Sequence, residues 1–231
     1  MTSEKKRIVF SLGGSLVVPE EIDVPFLASF KAFVEASVSQ GEKFMIVVGG
    51  GRTCRKYQQA AREVADVSKE DLNWIGIYSL RLNAELIRHI FENLAHGAVV
   101  NHPDEISADV SAPIIIGGAH TPGTSSDFNA VEFAEKAGAR QIVNLSNIDY
   151  VYTKDPKKFP DAEKIEGISW SEYRKLIPTE HDPGLNTPFD PIASKKAQEL
   201  GLEVAIMNGK DLDNLRNYLV GAAFRGTVIH A

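Results

Sequence analysis

Gly49-Gly50-Gly51-Arg52-Thr53-Cys54-Arg55 couples a glycine turn to two guanidinium groups, residue types suited to binding an anion. Glycine lets backbone N–H groups approach closely because no Cβ stands in the way. Arg55 lies one helical turn past the last glycine and can return to grip a phosphate bidentately. Arg52 is better read as a solvated helix-face charge. Gly13-Gly14-Ser15 and Gly117-Gly118 repeat the turn without the cations. Thr124-Ser125-Ser126-Asp127 places hydroxyls where a helix begins. Thr124 as cap with Asp127 closing a capping box is one account of it. A phosphate seated on hydroxyls and N–H groups is the other. Between Ser146 and Pro156, Tyr152 can line a flat ligand while Asp155 accepts hydrogen bonds; equally, the tyrosine fills an apolar gap and Asp-Pro is turn chemistry. Asp190-Pro191 opens a helix as cap and first residue, with Lys195 one turn in. Lys195 either faces solvent or reaches a moving phosphoryl group. Cys54, the single cysteine, excludes an intrachain disulfide. It reads as a small buried side chain rather than a reactive thiol.

These residues need a scaffold, and three apolar runs supply its outline: Ile8–Leu12, Phe44–Val48 and Pro113–Ile116, each ending at glycines. Runs without polar alternation read as strands buried on both faces, as in parallel sheets. In open α/β sheets, ligands bind at the C-terminal edge of the strands. Helical periods cover Val24–Val38 and Arg52–Val67, then about Leu72–Ala95 with a break near Gly76, then Ser125–Ala137, Asp190–Leu200 and Asp211–Val220. Ser68 caps the third of these, with Asp71 at its third position. Further strands are predicted at Ala98–Val100, Gln141–Leu145, Glu203–Met207 and Thr227–Ile229, and a loop at Val151–Ile165. The alternation argues an α/β fold with a parallel sheet covered on both faces.

At 231 residues, with 43% hydrophobic and 24% charged residues, the composition is that of an ordinary globular domain. A net charge of −6 without a basic stripe argues against nucleic acid as partner. No run approaches the ~20 apolar residues that span a bilayer. A net negative chain that binds phosphates must do so locally, and magnesium would help screen the charge.

In this order, the segments resemble the amino-acid kinase superfamily, most closely uridylate (UMP) kinases of the archaeal type. The resemblance rests on Ile8–Ser15, Gly49–Tyr57, Ile75–Ala84, Gly117–Asp127, Ser146–Pro156, Asp190–Lys195 and Gly226–Ile229. It implies a three-layer αβα sandwich with a mainly parallel central sheet, formed by one domain over residues 1–231. An acceptor lobe of about 1–139 would precede a nucleotide lobe of about 140–231. It also implies transfer of a phosphoryl group from ATP, with Mg2+, to UMP, in a cytoplasmic homohexamer built as a trimer of dimers. By position, Gly14, Ser15, Gly51, Arg55, Ser146, Tyr152 and Asp155 would contact ATP. Gly50, Asn73 and the loop His120, Thr121, Pro122, Gly123, Thr124, Ser125, Ser126 would hold UMP. Lys195 and Asp127 are the catalytic candidates. The chain departs from the pattern at Ser11, where much of the superfamily has lysine, at Asn73, where aspartate is usual, and at Tyr150, where glycine is usual. A positive φ at Tyr150 would be strained. These departures keep two rivals in view: a kinase of another small phosphate or acid, such as isopentenyl phosphate, and a non-catalytic nucleotide or oxyanion binder akin to molybdenum-storage proteins.

Overall fold

The computed structural model describes residues 6–107, 110–180 and 187–231; the first five residues of the polar start lie outside these. Strand β1 (Ile8–Leu12) runs into a single helical turn, α1 (Gly14–Val17), and then α2 (Val24–Ser39). β2 (Phe44–Val48) is followed by α3 (Gly51–Val64) and α4 (Lys69–Ile90). β3 (Ile114–Gly117) leads to α5 (Ser126–Ala137), and β4 (Gln141–Ser146) to a hairpin of β5 (Val151–Tyr152) and β6 (Lys164–Ile165). β7 (Gly167–Ser169), α6 (Trp170–Leu176), α7 (Pro191–Glu199), β8 (Glu203–Asn208), α8 (Leu212–Leu219) and β9 (Thr227–His230) complete the order.

The main sheet has seven strands in the order β3-β2-β1-β4-β8-β9-β7. Every pairing in it is parallel except β8 with β9. The chain builds outward from β1 through β2 to β3, then returns to β1's other side with β4. That reversal is the switch point where open α/β sheets form their crevice. One sheet therefore crosses the Gly138–Arg140 region, joining β1 directly to β4.

Side-chain alternation sorts the core into two layers. Phe10, Leu12, Phe44, Ile46, Val143 and Leu145 face α2 and α4, packing with Phe30, Ile87 and Phe91. Val9, Met45, Val47 and Ile142 face the opposite side, where Phe133 of α5, Trp170 and Tyr173 of α6 and Ala193 of α7 cover them. The three-layer αβα sandwich is thus present, with apolar residues on both faces of its strands, as the continuous runs require.

Several local expectations change. α4 runs unbroken through Gly76, because its φ is helical and packing offsets the modest propensity cost of glycine. Ser68 caps it as expected, accepting from the Asp71 amide at 3.1 Å. Ala98–Val100 contributes only a bridge, Val100 to Gly117, and Ala95 makes another to Ile114. The loop after Val151 contains the small hairpin, and α6, with β7 before it, was not visible as a period. Tyr150 is unstrained: among the described residues no non-glycine has positive φ. Its ring instead lies under the Lys164 ammonium, 5.0 Å from the ring centre.

Tyr173 ties α6 to the start of α7. Its hydroxyl donates to Phe189 O at 2.9 Å and accepts from Phe189 N at 2.7 Å, all buried. Burial pushes this phenol far above the usual tyrosine range. Tyr173→Phe strands two buried backbone groups, and each unsatisfied group costs ~1–3 kcal/mol. Urea unfolding of the variant should show a loss of at least ~1 kcal/mol; an unchanged midpoint would contradict this account of the tie.

Candidate active site

The ends of β1 and β2 meet through glycine backbone. A Cβ on Gly14 would overlap Gly51 N and stand 2.5 Å from Gly49 O. Gly51 has φ +63°, and a Cβ there would lie 2.5 Å from Gly14 O. Only glycine fits a left-handed backbone pressed against another backbone. The contact is fastened by Gly49 N donating to Leu12 O and Arg52 N to Val18 O, each at 2.9 Å. These turns consequently carry the starts of α1 and α3 to one place, where first-turn amides lack intrahelical acceptors.

A cavity of about 480 Å³ opens over them, walled by Gly13–Ser15, Gly49–Gly51, Ser126, Asn144, Ser146 and Asn147. Arg55 and Asp127 supply its charges, and Thr187 and Pro188 close one side. Arg55 is exposed and has no hydrogen bond or ion pair among the described residues, so its guanidinium is available to an anion. Arg52 instead pairs with Glu20 at 3.2 Å, as its solvated reading implied.

Asp127 sits at the centre of the polar wall. Ser11 Oγ donates to its Oδ1 at 2.9 Å and Asn144 Nδ2 to the same oxygen at 3.1 Å. The Asp190 amide donates to Oδ2 at 3.1 Å. Ser11 and Asn144 are register partners on β1 and β4, so both side chains emerge on the face that α5 covers. Asp190 caps α7, its Oδ1 accepting from Ile192 N and Ala193 N at 2.9 Å each. One carboxylate thus locks β1, β4, α5 and α7 together at the floor of the cavity. The capping-box role expected for Asp127 is not what it does. Ser125, not Thr124, caps α5, accepting from Phe128 N at 3.2 Å. Thr124 Oγ1 is turned to Thr121 O at 2.7 Å. With the helix starting one residue later than read, Asp127 points across the sheet rather than back at the cap.

A second, smaller cavity of about 120 Å³ adjoins the first and shares Gly50, Cys54 and Ser126 with it. Gln58, Asn73, Gly76, Ile77, Leu80, Ala119, Thr124 and Ser125 complete its lining. Cys54 lies on the common wall. Burial pushes its thiol up despite Arg55 and Arg62 nearby, so it stays a neutral S–H at pH 7.

Of the residues singled out from sequence, Gly14, Ser15, Gly50, Gly51, Arg55, Asn73, Thr124, Ser125, Ser126, Asp127 and Ser146 line one cavity or the other. His120, Thr121, Pro122, Gly123, Tyr152, Asp155 and Lys195 do not. His120 is turned to Glu132, Nε2 to Oε2 3.3 Å. Asp155 accepts from Lys157 N at 3.0 Å, the local turn chemistry of an Asp-Pro pair. Lys195 is exposed on α7. The third glycine pair also has another purpose. A Cβ on Gly117 would stand 2.7 Å from the Phe133 ring, and one on Gly118 would overlap Asn101, so these glycines admit packing groups rather than an anion. Asn144, Gln58 and Cys54 were not read as site residues. For Asn144 a signal existed, a lone amide inside the buried run Gln141–Leu145. For the other two, helical spacing alone gave none.

Paired cavities at a switch point, lined by amides, hydroxyls and one available guanidinium, suit two ligands of which at least one is anionic. The model of the amino acid kinase family matches residues 6–208 of the chain. The chain is 33% identical over 225 residues to the uridylate kinase of Methanospirillum hungatei, covering 96% of this chain and 94% of that one. It is 34% identical over 227 residues to that of Thermococcus kodakarensis, covering 96% and 99%. The crystal structure of the uridylate kinase from Archaeoglobus fulgidus superposes with a TM-score of 0.81 at 30% identity, covering 96% of this chain and 99% of that one. This protein belongs to the amino acid kinase family.

Two substitutions probe the geometry. A methyl at Gly76 would stand 3.5 Å from Gln58 Nε2 and 3.6 Å from Cys54 Sγ, ordinary contacts that take up cavity space. Gly76→Ala should raise stability by up to ~1 kcal/mol through helix propensity while weakening binding in the smaller cavity; equal or tighter ligand affinity would exclude that role. Asp127→Asn leaves one oxygen for three donors on the two carboxylate oxygens. Hydrogen bonds to charged groups are worth ~1.5–3 kcal/mol, so a stability loss of that order should appear in urea melts, together with slower turnover.

Proposed function

We propose that this protein is a uridylate kinase, transferring the γ-phosphoryl group of ATP to UMP to give UDP and ADP. The observation that carries the reading is the shared wall: Gly50, Cys54 and Ser126 border both cavities, so two ligands meet there head to head. Phosphoryl transfer asks the protein chiefly for positioning and charge stabilisation. The larger, polar cavity takes the ATP phosphates on the amides of Gly14, Ser15 and Gly51 and on Ser146. The smaller takes the nucleoside end of UMP, with Asn73 toward the ribose and Thr124–Ser126 holding its phosphate near the junction. Arg55, which lines the larger cavity, neutralises charge on the group in flight. Asp127 acts as a positioning residue, keeping β1, β4, α5 and α7 in one arrangement around it. Ser11 serves that carboxylate.

The wall fits a divalent cation that arrives on the nucleotide. Among the described residues Asp127 is its one acidic side chain, and it already accepts three hydrogen bonds. Among the described residues no group of three His, Cys, Asp or Glu side chains is placed to hold a metal. We take the ion to be Mg2+, which binds readily through substrate phosphates and would screen the charge between the two anions. No helix among the described residues is long and apolar enough to cross a membrane. We place the protein in the cytoplasm, in line with its free cysteine. We also read it as a homohexamer; Tyr57 on α3 and Tyr78 and Leu82 on α4, exposed at 66, 63 and 64%, support self-association.

The test is a coupled assay with ATP, Mg2+ and a panel of nucleoside monophosphates, alongside isopentenyl phosphate. UDP formation from UMP should dominate. Arg55→Ala should retain the fold and lower kcat/KM for UMP by on the order of 100-fold, as loss of one preorganised charge stabiliser does. Turnover of isopentenyl phosphate instead, or ATP binding with no turnover of any acceptor, would refute the assignment.

A further inference from the structure

The smaller cavity contains a polar group that the transfer chemistry leaves unexplained. Gly51 and Gln58 are the buried residues of α3, and Gln58 is only 3% exposed. Its Nε2 donates to Leu72 O, on α4, at 2.8 Å. A carbonyl accepts only from a donor, so this bond fixes which end of the amide is nitrogen. Oε1 is thereby oriented too. It makes no hydrogen bond among the described residues, and the space Gln58 lines is the smaller cavity, where a ligand can supply the missing donor. A buried acceptor held in one direction and left to a ligand is a reading device, since a ligand without the matching donor leaves it unpaired.

The size of the space narrows the ligand. The space measures about 120 Å³, of the order that takes a single small ring. Ile77 and Leu80, both buried, offer the ring apolar surface.

We propose that Gln58 is a specificity-determining residue whose Oε1 accepts the N3–H of the acceptor's pyrimidine ring. Uracil carries that imide donor. Cytosine presents a lone pair at N3, which would face Oε1 with repulsion, so the same residue disfavours CMP. The inference rests on the reading of the protein as a UMP kinase and adds the residue that selects the base.

Calorimetric titration of the ATP-free protein with UMP, CMP and N3-methyl-UMP tests it without requiring turnover. The wild type should bind UMP on the order of 10- to 100-fold tighter than either of the others, the effect of leaving one buried acceptor unpaired. Gln58→Met keeps the side chain's length and removes both polar atoms. It should bind UMP and CMP with comparable affinity while ATP binding is unchanged. Undiminished preference for UMP in a variant that still binds ATP would overturn the assignment. So would a wild type that accepts N3-methyl-UMP as well as UMP, a comparison that stands whatever the variant does. UMP bound with the expected discrimination but never phosphorylated would defeat the kinase reading and leave Gln58 as the base reader.

Discussion

The site depends on the backbone of one strand's turn resting directly on the backbone of the next. Gly14 and the Gly49–Gly51 turn approach so closely that a single Cβ on Gly14 or Gly51 would lie at or inside 2.5 Å of main-chain atoms. Main chain cannot swing aside as a side chain can, so this approach sets the separation of α1 and α3. The amides at both helix starts therefore converge, and an anion placed between them meets donors from two elements at once. The convergence of amides is a by-product of packing that only glycine permits.

Asp127 extends that arrangement to the other half of the sheet. Strand alternation and the Ser11–Asn144 register bring a hydroxyl and an amide to one carboxylate, and the Asp190 amide joins them from the start of α7. Buried polar groups are costly unless satisfied, and a satisfied network holds one geometry. The cavity floor is therefore rigid where a transferring group must be held. Arg55 and the Ser126 hydroxyl, which make no hydrogen bond among the described residues, are left to the ligands.

The two cavities divide the work by polarity and size. Under the proposed function the larger, lined by glycine turns, Arg55 and Asp127, would take phosphates, and the smaller, lined by Ile77, Leu80 and Gln58, would take a base. Their common wall at Gly50, Cys54 and Ser126 is where the two ligands would touch.

Read alone, the chain determined the layers and the glycine turns that end β1 and β2. Buried β-branched runs ending in glycine have few folds open to them besides a covered parallel sheet, and Ser15, Gly50, Gly51 and Arg55 lie among those glycines or within one helical turn of them. Such local features survive into the structure because each is a consequence of neighbours along the backbone. Asn144, Gln58 and the true role of Asp127 were decided only in three dimensions. Each matters through a partner far away in the chain: Ser11 for Asn144 by strand register, Leu72 for Gln58 across two helices, Asp190 for Asp127 between α5 and α7. Gly117-Gly118 shows the converse, a pair of glycines like the others whose neighbours happen to be Phe133 and Asn101. Residue type announces which groups can bind, but only packing determines what they face.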